Sequence, residues 1–240
     1  MQRALLLHQT SVGKKAIVAV TGVVMFGFLV GHMAGNLQIF LGPEKINEYA
    51  AFLKGTLPLL WGTRALLVVS VIAHIYYSMV LANEAGNARP RAYAKRENNA
   101  TNLAAISMKL SGPTVAVFIL YHLLHFTIGY SPTGAHSATN VYANVVGSFQ
   151  IPWLAALYIV AQLLLGVHLF HGAWSFFQTL GLSHPRYDAF RRTFAVGLTV
   201  LIVGGNISIP AAIASGLFPG GAQVDAAVGE PIQANNLIVE

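Results

Sequence analysis

Residues 162–181 read QLLLGVHLFHGAWSFFQTLG, an apolar run that contains two histidines, His168 and His171. Polar side chains are costly in hydrocarbon, so those found at membrane depth usually face the interior of a helix bundle and serve a function. Four apolar segments of the chain carry such residues, which are His32, His74, His122, His125, His168 and His171. The repeated pattern indicates that these histidines are the functional groups of the chain.

The composition is typical of an integral membrane protein. Of 240 residues, 55% are hydrophobic and 9% are charged, whereas a soluble domain carries about 25% charged residues. The chain has no cysteine, which excludes disulfides, thiolate-bound iron–sulfur clusters and cysteine nucleophiles. A redox centre in this chain would therefore use histidine, methionine or an organic cofactor.

Five segments are long and apolar enough to cross a bilayer, which takes about 20 residues as a helix. They lie at about 15–41, 61–83, 109–130, 152–177 and 192–213, and none contains Asp or Glu. Because lipid cannot satisfy free backbone groups, the sequence predicts an all-α bundle of five transmembrane helices over residues 1–213. We expect a short amphipathic helix within 42–60, an uncharged loop over 131–151 and an irregular tail over 214–240.

The distribution of Lys and Arg predicts the orientation of the bundle. The N-terminus and the loops at 84–108 and 178–191, with the adjoining span edges, hold 11 of the 14 basic residues. The positive-inside rule then places the N-terminus in the cytoplasm and the C-terminus outside. The first 15 residues lack the pattern of a cleaved signal peptide, so we expect the first span to act as an uncleaved anchor.

The histidines have a chemical use that fits their positions. A b-type haem held between two helices takes one axial histidine from each. For one histidine alone, the alternative is a polar side chain that is hydrogen-bonded inside the bundle, but four successive spans each supply one. A transporter would more often carry carboxylates in its spans as well, and this chain has none there.

The depth of each histidine predicts how they pair. His32 lies ~25 Å along the first span and His122 ~20 Å along the third, at 1.5 Å per residue, so both fall in the outer half. The second and fourth spans run inward, which puts His74 and His168 on the inner side. The result is two pairs stacked across the membrane, the layout of a transmembrane electron wire with two haems.

Two spans leave the choice of ligand open. His122 and His125 are three residues apart, as are His168 and His171, so each pair shares roughly one helical face. The histidine that is not a ligand could bond a haem propionate or a backbone carbonyl, or simply pack.

Four motifs resemble those of a known family. They are Thr21-Gly22 with Gly31-His32-Met33, Ala73-His74-Ile75-Tyr76, Tyr121-His122-Leu123-Leu124, and His168-Leu169-Phe170-His171-Gly172-Ala173-Trp174-Ser175. The sequence resembles the cytochrome b558 subunit of succinate:quinone oxidoreductases, the five-helix di-haem membrane anchor of succinate dehydrogenases and fumarate reductases. The resemblance covers residues 11–213.

The resemblance implies cofactors and partners. The axial ligands of two haem b groups would be His32 with His122 and His74 with His168. The resemblance thus favours His122 over His125 and His168 over His171, and His171 would not be an essential ligand. A flavoprotein with FAD and an iron–sulfur subunit would dock on the loops at 84–108 and 178–191. Electrons would pass to a quinone, which we expect to be menaquinone, in the cytoplasmic (inner) membrane.

The resemblance also suggests a quinone site at the outer end, near Asn36, Glu44, Glu48 and Trp61, with Arg64 available to a haem propionate. The alternative is that Glu44 and Glu48 only form the solvated face of a loop helix. The chain has no flavin-binding glycine fingerprint after a strand, so it holds no catalytic residue for succinate oxidation.

Two other functions remain possible from the sequence. One is an anchor of the same fold that has lost haem and only binds quinone and the soluble subunits. The other is the cytochrome b subunit of a different membrane oxidoreductase, such as a hydrogenase or formate dehydrogenase. The stretch at 168–175 argues against the second, and haem quantification would decide the first.

Overall fold

The computed structural model describes residues 6–88, 103–132, 134 and 136–218, and this part of the chain contains helices and no strand. The helices are α1 (Ser11–Asn36), α2 (Pro43–Gly55), α3 (Leu57–Asn87), α4 (Leu103–His122), α5 (Val141–Phe149), α6 (Pro152–Thr179) and α7 (Asp188–Ala214). A 3₁₀ turn (Leu37–Leu41) continues α1, and a π-helical turn (Leu123–Ile128) continues α4. Shorter 3₁₀ turns lie at Leu7–Gln9 and Pro185–Tyr187.

Five of these helical segments are long and apolar enough to cross a membrane, which confirms the predicted fold class. They are Ser11–Leu41, Leu57–Asn87, Ser107–Ile128, Pro152–Thr179 and Pro185–Ala214. The second span, helix α3, extends beyond its expected end at residue 83 and includes Glu84, which pairs with Lys14 of α1. The chain is therefore a multi-pass membrane protein. Most of the expected tail, residues 219–240, lies outside the described residues, as do Arg89, Arg91, Lys95 and Arg96 of the second loop.

Local sequence signals set the ends of the helices. The Thr10 side chain accepts a hydrogen bond from the backbone N–H of Gly13 at 3.0 Å and caps α1, as hydroxyl residues do at helix N-termini. A proline stands in the first turn of α2, α3 and α6, where its missing N–H costs no helical bond. Gly42 turns the chain from α1 into α2 with φ of 104°, a conformation that glycine adopts without strain.

The long helices pack in a defined order. Close packing joins α1 to α3, α4 to α6, and α6 to α7, while α1 also touches α6 and α7. Met33 of α1 inserts between Leu165, Leu169 and Ile202 of the last two helices. Large apolar side chains such as Val69, Leu120 and Val200 are exposed on the outside of the bundle, as expected for a surface in contact with lipid.

Two short helices close one end of the bundle, which we call the capped end. The helix α2 confirms the expected short helix, whereas α5 lies in the stretch expected to be a loop. The α5 helix forms because the Asn140 side chain caps it and because Tyr142, Val146 and Phe149 bury one face against the bundle. Asn47 of α2 joins the two helices, donating to Asn140 Oδ1 at 3.2 Å and accepting from the Tyr142 N–H at 3.1 Å. We call the opposite end, which carries Lys14 and Arg192, the basic end.

Candidate functional site

The first pair of histidines lies near the capped end. His32 of α1 and His122, the last residue of α4, face each other with ring centroids 5.7 Å apart. Phe28 stacks on His32 at 5.3 Å, and Phe118 and Phe126 flank His122 at 5.9 and 5.7 Å. The structure thus brings together two histidines that the sequence pairs by depth, and it surrounds them with aromatic rings.

The second pair lies deeper, towards the basic end. The rings of His74 on α3 and His168 on α6 have centroids 6.2 Å apart. The Nδ1 atom of His74 is 3.1 Å from the carbonyl oxygen of Val18 and 3.2 Å from Oγ1 of Thr21. Because a carbonyl can only accept, the proton of the neutral ring is on Nδ1, and Nε2 keeps its lone pair. A second ring nitrogen held in this way is typical of histidines that bind metals.

A glycine stands beside each histidine of the second pair. A Cβ atom built on Gly22 of α1 would lie 3.6 Å from Cε1 of His74, and one on Gly112 of α4 would lie 3.7 Å from Cε1 of His168. Gly22 precedes His32 by ten residues, and Gly112 precedes His122 by ten. At 1.5 Å per residue, the two histidine pairs are about 15 Å apart along the bundle.

Each pair joins helices that are not close neighbours. Among the described helices, α1 packs against α3, and α4 packs against α6, but neither α1 with α4 nor α3 with α6 forms an extended contact. The bundle therefore consists of a half made of α1 and α3 and a half made of α4, α6 and α7. Both histidine pairs lie where these two halves face each other.

His125 has a different role, which its partners define. It is 1% exposed, and its Nδ1 and Nε2 atoms lie 2.8 Å from the Tyr158 hydroxyl and 3.0 Å from Oγ of Ser148. The Ser148 hydroxyl donates to the carbonyl oxygen of Asn144 at 2.6 Å, so Oγ accepts from Nε2–H, and Nδ1 accepts from Tyr158. Both ring nitrogens of His125 bond side chains of the protein, which is the hydrogen bonding inside the bundle that the sequence leaves open as the alternative to haem ligation.

The residues around His125 were missed by sequence reasoning. Tyr158 is 5% exposed and stands at the centre of six rings, which are those of Phe118, Tyr121, His122, His125, Phe126 and Phe149. His125 itself lies in the π-helical turn that directly follows His122. Such turns are frequent at functional sites. The polar chain from Tyr158 to Asn144 thus fixes the backbone next to one histidine of the first pair.

His171 lies one turn beyond His168 on α6. Its Nδ1 atom is buried and, within the described part of the chain, has no hydrogen-bond partner; the same holds for Nδ1 of His122 and of His168. His171 therefore differs from His125 in having an unsatisfied ring nitrogen in the interior.

The residues expected near a quinone lie at the surface of the capped end. The Arg64 guanidinium lies 4.9 Å over the Trp61 ring, and Trp61 is 60% exposed. Glu48 is also exposed and pairs with Lys45 at 3.3 Å, and Glu44 is exposed on the same helix. Half-buried Asn36 ends α1, four residues after His32.

Arg191 lies in the predicted docking loop at 178–191, but its charge faces inward. It is 2% exposed and donates to Ser183 Oγ and Asp188 Oδ1 at 2.8 Å each and to the Trp174 carbonyl oxygen at 3.3 Å. Its guanidinium also lies 4.6 Å over the Trp174 ring. Arg191 therefore joins the ends of α6 and α7, while Arg186 and Arg192 are exposed at the basic end.

The fold and the site define a class: a five-span membrane protein with two levels of paired histidines in its interior. The chain is similar to the succinate dehydrogenase cytochrome b558 subunit of Bacillus subtilis (strain 168), with 27% identity over 165 residues, which cover 68% of this chain and 76% of the relative. No protein-family model matches the chain, and no solved structure matches it. The similarity confirms the resemblance that the sequence motifs indicate.

Proposed function

We propose that this chain is the cytochrome b membrane anchor of a succinate:quinone oxidoreductase. It binds one haem b between His32 and His122 and a second between His74 and His168. It carries electrons between an iron–sulfur subunit and a quinone in the membrane. The observation that supports this most directly is the facing arrangement of the two histidine pairs, with ring centroids 5.7 and 6.2 Å apart.

The residues present fit two haems. A bond from a histidine nitrogen to a metal is about 2 Å long, so two imidazoles that would hold one ion from opposite sides would have ring centroids roughly 6 Å apart. Both observed separations are close to this value. The proton on Nδ1 of His74 leaves Nε2 for the metal, and the absence of a side chain at Gly22 and Gly112 lets a neighbouring helix approach the imidazoles. Axial ligation takes two histidines, so it needs no larger metal-binding cluster.

The haem iron supplies one-electron chemistry when bound, and the chain sets its conditions. The bond from His74 Nδ1 to Val18 holds the ring in one orientation and makes its Nε2 more basic. The rings of Phe28, Phe118 and Phe126 flank the first pair with apolar surface, and in such surroundings of low dielectric constant electrostatic interactions are stronger. Two levels about 15 Å apart provide two redox positions across the bundle.

The same proposal assigns the two ends of the bundle. The basic end faces the cytoplasm, where the iron–sulfur subunit and the FAD-containing flavoprotein of the complex dock, and succinate is oxidised on that partner. The capped end faces outward, and menaquinone binds there near Asn36, Glu48 and Trp61. The excess of Lys and Arg on one side supports this orientation.

The test is a dithionite-reduced minus oxidised spectrum of the purified complex, with haem quantified per chain. Two b haems are expected, of which His32→Ala removes one and His74→Ala removes the other. His8→Ala is the matched control, since this histidine is exposed and lies outside the proposed docking loops. One haem per chain would show that one pair is wrong, and none would leave an anchor that binds only quinone and its partner subunits.

A further inference from the structure

The two halves of the bundle repeat a short pattern, of which the proposed function uses only the glycines. In α1, Thr21-Gly22 precedes His32, and in α4, Ser111-Gly112 precedes His122, with ten residues from glycine to histidine in both. Each half thus carries a hydroxyl residue and a glycine at the level of the second histidine pair.

The two dipeptides also occupy equivalent positions. A Cβ on Gly22 would lie 3.6 and 3.9 Å from Cε1 and Nδ1 of His74, and one on Gly112 would lie 3.7 and 3.9 Å from the same atoms of His168. The agreement in both distances means that each helix backbone meets its imidazole in nearly the same way. Thr21 and Ser111, which precede these glycines, should therefore be placed similarly relative to Nδ1 of His74 and Nδ1 of His168.

The hydroxyl groups are used differently in the two halves. Thr21 Oγ1 lies 3.2 Å from Nδ1 of His74. Ser111 is 1% exposed, and among the described residues its hydroxyl makes one weak contact, at 3.9 Å, with the sulfur of Met108. The Nδ1 atom of His168 is buried and, in the described part of the chain, has no partner. The Ser111 hydroxyl and Nδ1 of His168 are thus two buried polar groups without a strong hydrogen bond among the described residues. Leaving such groups unsatisfied destabilises the fold, and a hydrogen bond between them would remove this cost.

We propose that Ser111 is a positioning residue for His168, with its hydroxyl accepting a hydrogen bond from Nδ1–H. The bond fixes the tautomer of His168 so that Nε2 faces the partner histidine, as Val18 and Thr21 do for His74. Both histidines of the second pair are then oriented by the neighbouring helix of their own half.

The readout of this inference rests on the proposed function, because it uses the haem as a probe. A hydrogen bond that makes a ligand more basic favours the oxidised metal. Ser111→Ala should therefore raise the midpoint potential of the haem that His168→Ala removes, and leave the other haem unchanged. Ser111→Thr keeps a hydroxyl and should retain the wild-type potential.

Two further variants sharpen the test. Thr114→Ala is the matched control on α4, because this hydroxyl bonds the Leu110 carbonyl of its own helix at 2.9 Å. Thr21→Ala should shift the potential of the same haem in the same direction as Ser111→Ala, but by less, because the Val18 carbonyl still accepts from His74 Nδ1. The measurement is a potentiometric titration of the purified complex, followed optically and by the electron paramagnetic resonance of each haem.

The outcomes separate the inference from the function. Equal potentials in the Ser111→Ala and Thr114→Ala complexes, with both haems present, would refute the role of Ser111. Loss of one haem in Ser111→Ala that Ser111→Thr restores would support it, because a general folding defect would affect both haems. A wild-type complex without haem would refute the proposed function.

Discussion

Replacing Tyr158 by Phe should destabilise the capped end of the bundle. The Tyr158 hydroxyl donates to Nδ1 of His125 over 2.8 Å, and the two residues are 5% and 1% exposed. Tyr158→Phe removes one oxygen and leaves a buried ring nitrogen with no donor. A buried group that loses its partner costs about 1–3 kcal/mol. For a chain of this length, the loss corresponds to a drop of roughly 2–12 °C in Tm.

The structure offers a close control in Tyr121→Phe. The Tyr121 ring lies 5.7 Å from that of His125 and 6.1 Å from that of Tyr158, but its buried hydroxyl has no hydrogen-bond partner among the described residues. Removing a hydroxyl that is already unsatisfied should leave Tm unchanged or raise it. Thermal unfolding of the complex in mild detergent measures both variants. Equal losses of Tm would show that removing either buried hydroxyl has the same effect and that the hydrogen bond to His125 contributes nothing.

Two other predictions concern the pH response and the packing of the helices. Burial lowers the pKa of His136, and nearby Lys54 lowers it further. At a pH between the folded and unfolded pKa values, the unfolded chain therefore binds more protons than the folded one. The free energy of unfolding should fall as the pH drops below about 6.5 through the folded pKa. Hydrogen exchange of the α5 amides at pH 7.5 and 5.5 measures this loss, which His136→Gln should abolish. Gly166→Ala would place a Cβ 2.9 Å from Cγ2 of Val203 and should lower the free energy of unfolding by about 1–3 kcal/mol. A Cβ on Gly197 would have no atom within 4 Å, so Gly197→Ala should raise the free energy of unfolding by about 0.5–1 kcal/mol. A lower unfolding midpoint for Gly197→Ala than for Gly166→Ala would contradict this packing of α6 against α7.

The sequence predicts the bundle because a segment inside lipid must satisfy its backbone hydrogen bonds internally. Once helices are required in the spans, the position of each histidine along its helix follows from a rise of 1.5 Å per residue. The pairing of His32 with His122, and of His74 with His168, needs only that rise and the alternating direction of the spans. The structure brings both pairs together, and their role as haem ligands stays a prediction.

The surroundings of His125 could not be obtained in the same way. Its partners Tyr158 and Ser148 are 33 and 23 residues away, and Ser148 lies on α5, a nine-residue helix in an uncharged stretch. That helix forms because an apolar face packs against the bundle, so local sequence carries little sign of it. Arg191 is a similar case, since its sequence position suggests an exposed charge while Trp174, Ser183 and Asp188 bury it.

The division of the bundle into halves has a consequence for biosynthesis. Helices α1 and α3 emerge from the ribosome first and can associate before the second half exists. The pair of His32 and His122 is complete once α4 has entered the membrane, but the pair of His74 and His168 must wait for α6. The capped-end pair can therefore hold a bound group before the deeper pair exists, and a group held there already links α1 of one half to α4 of the other.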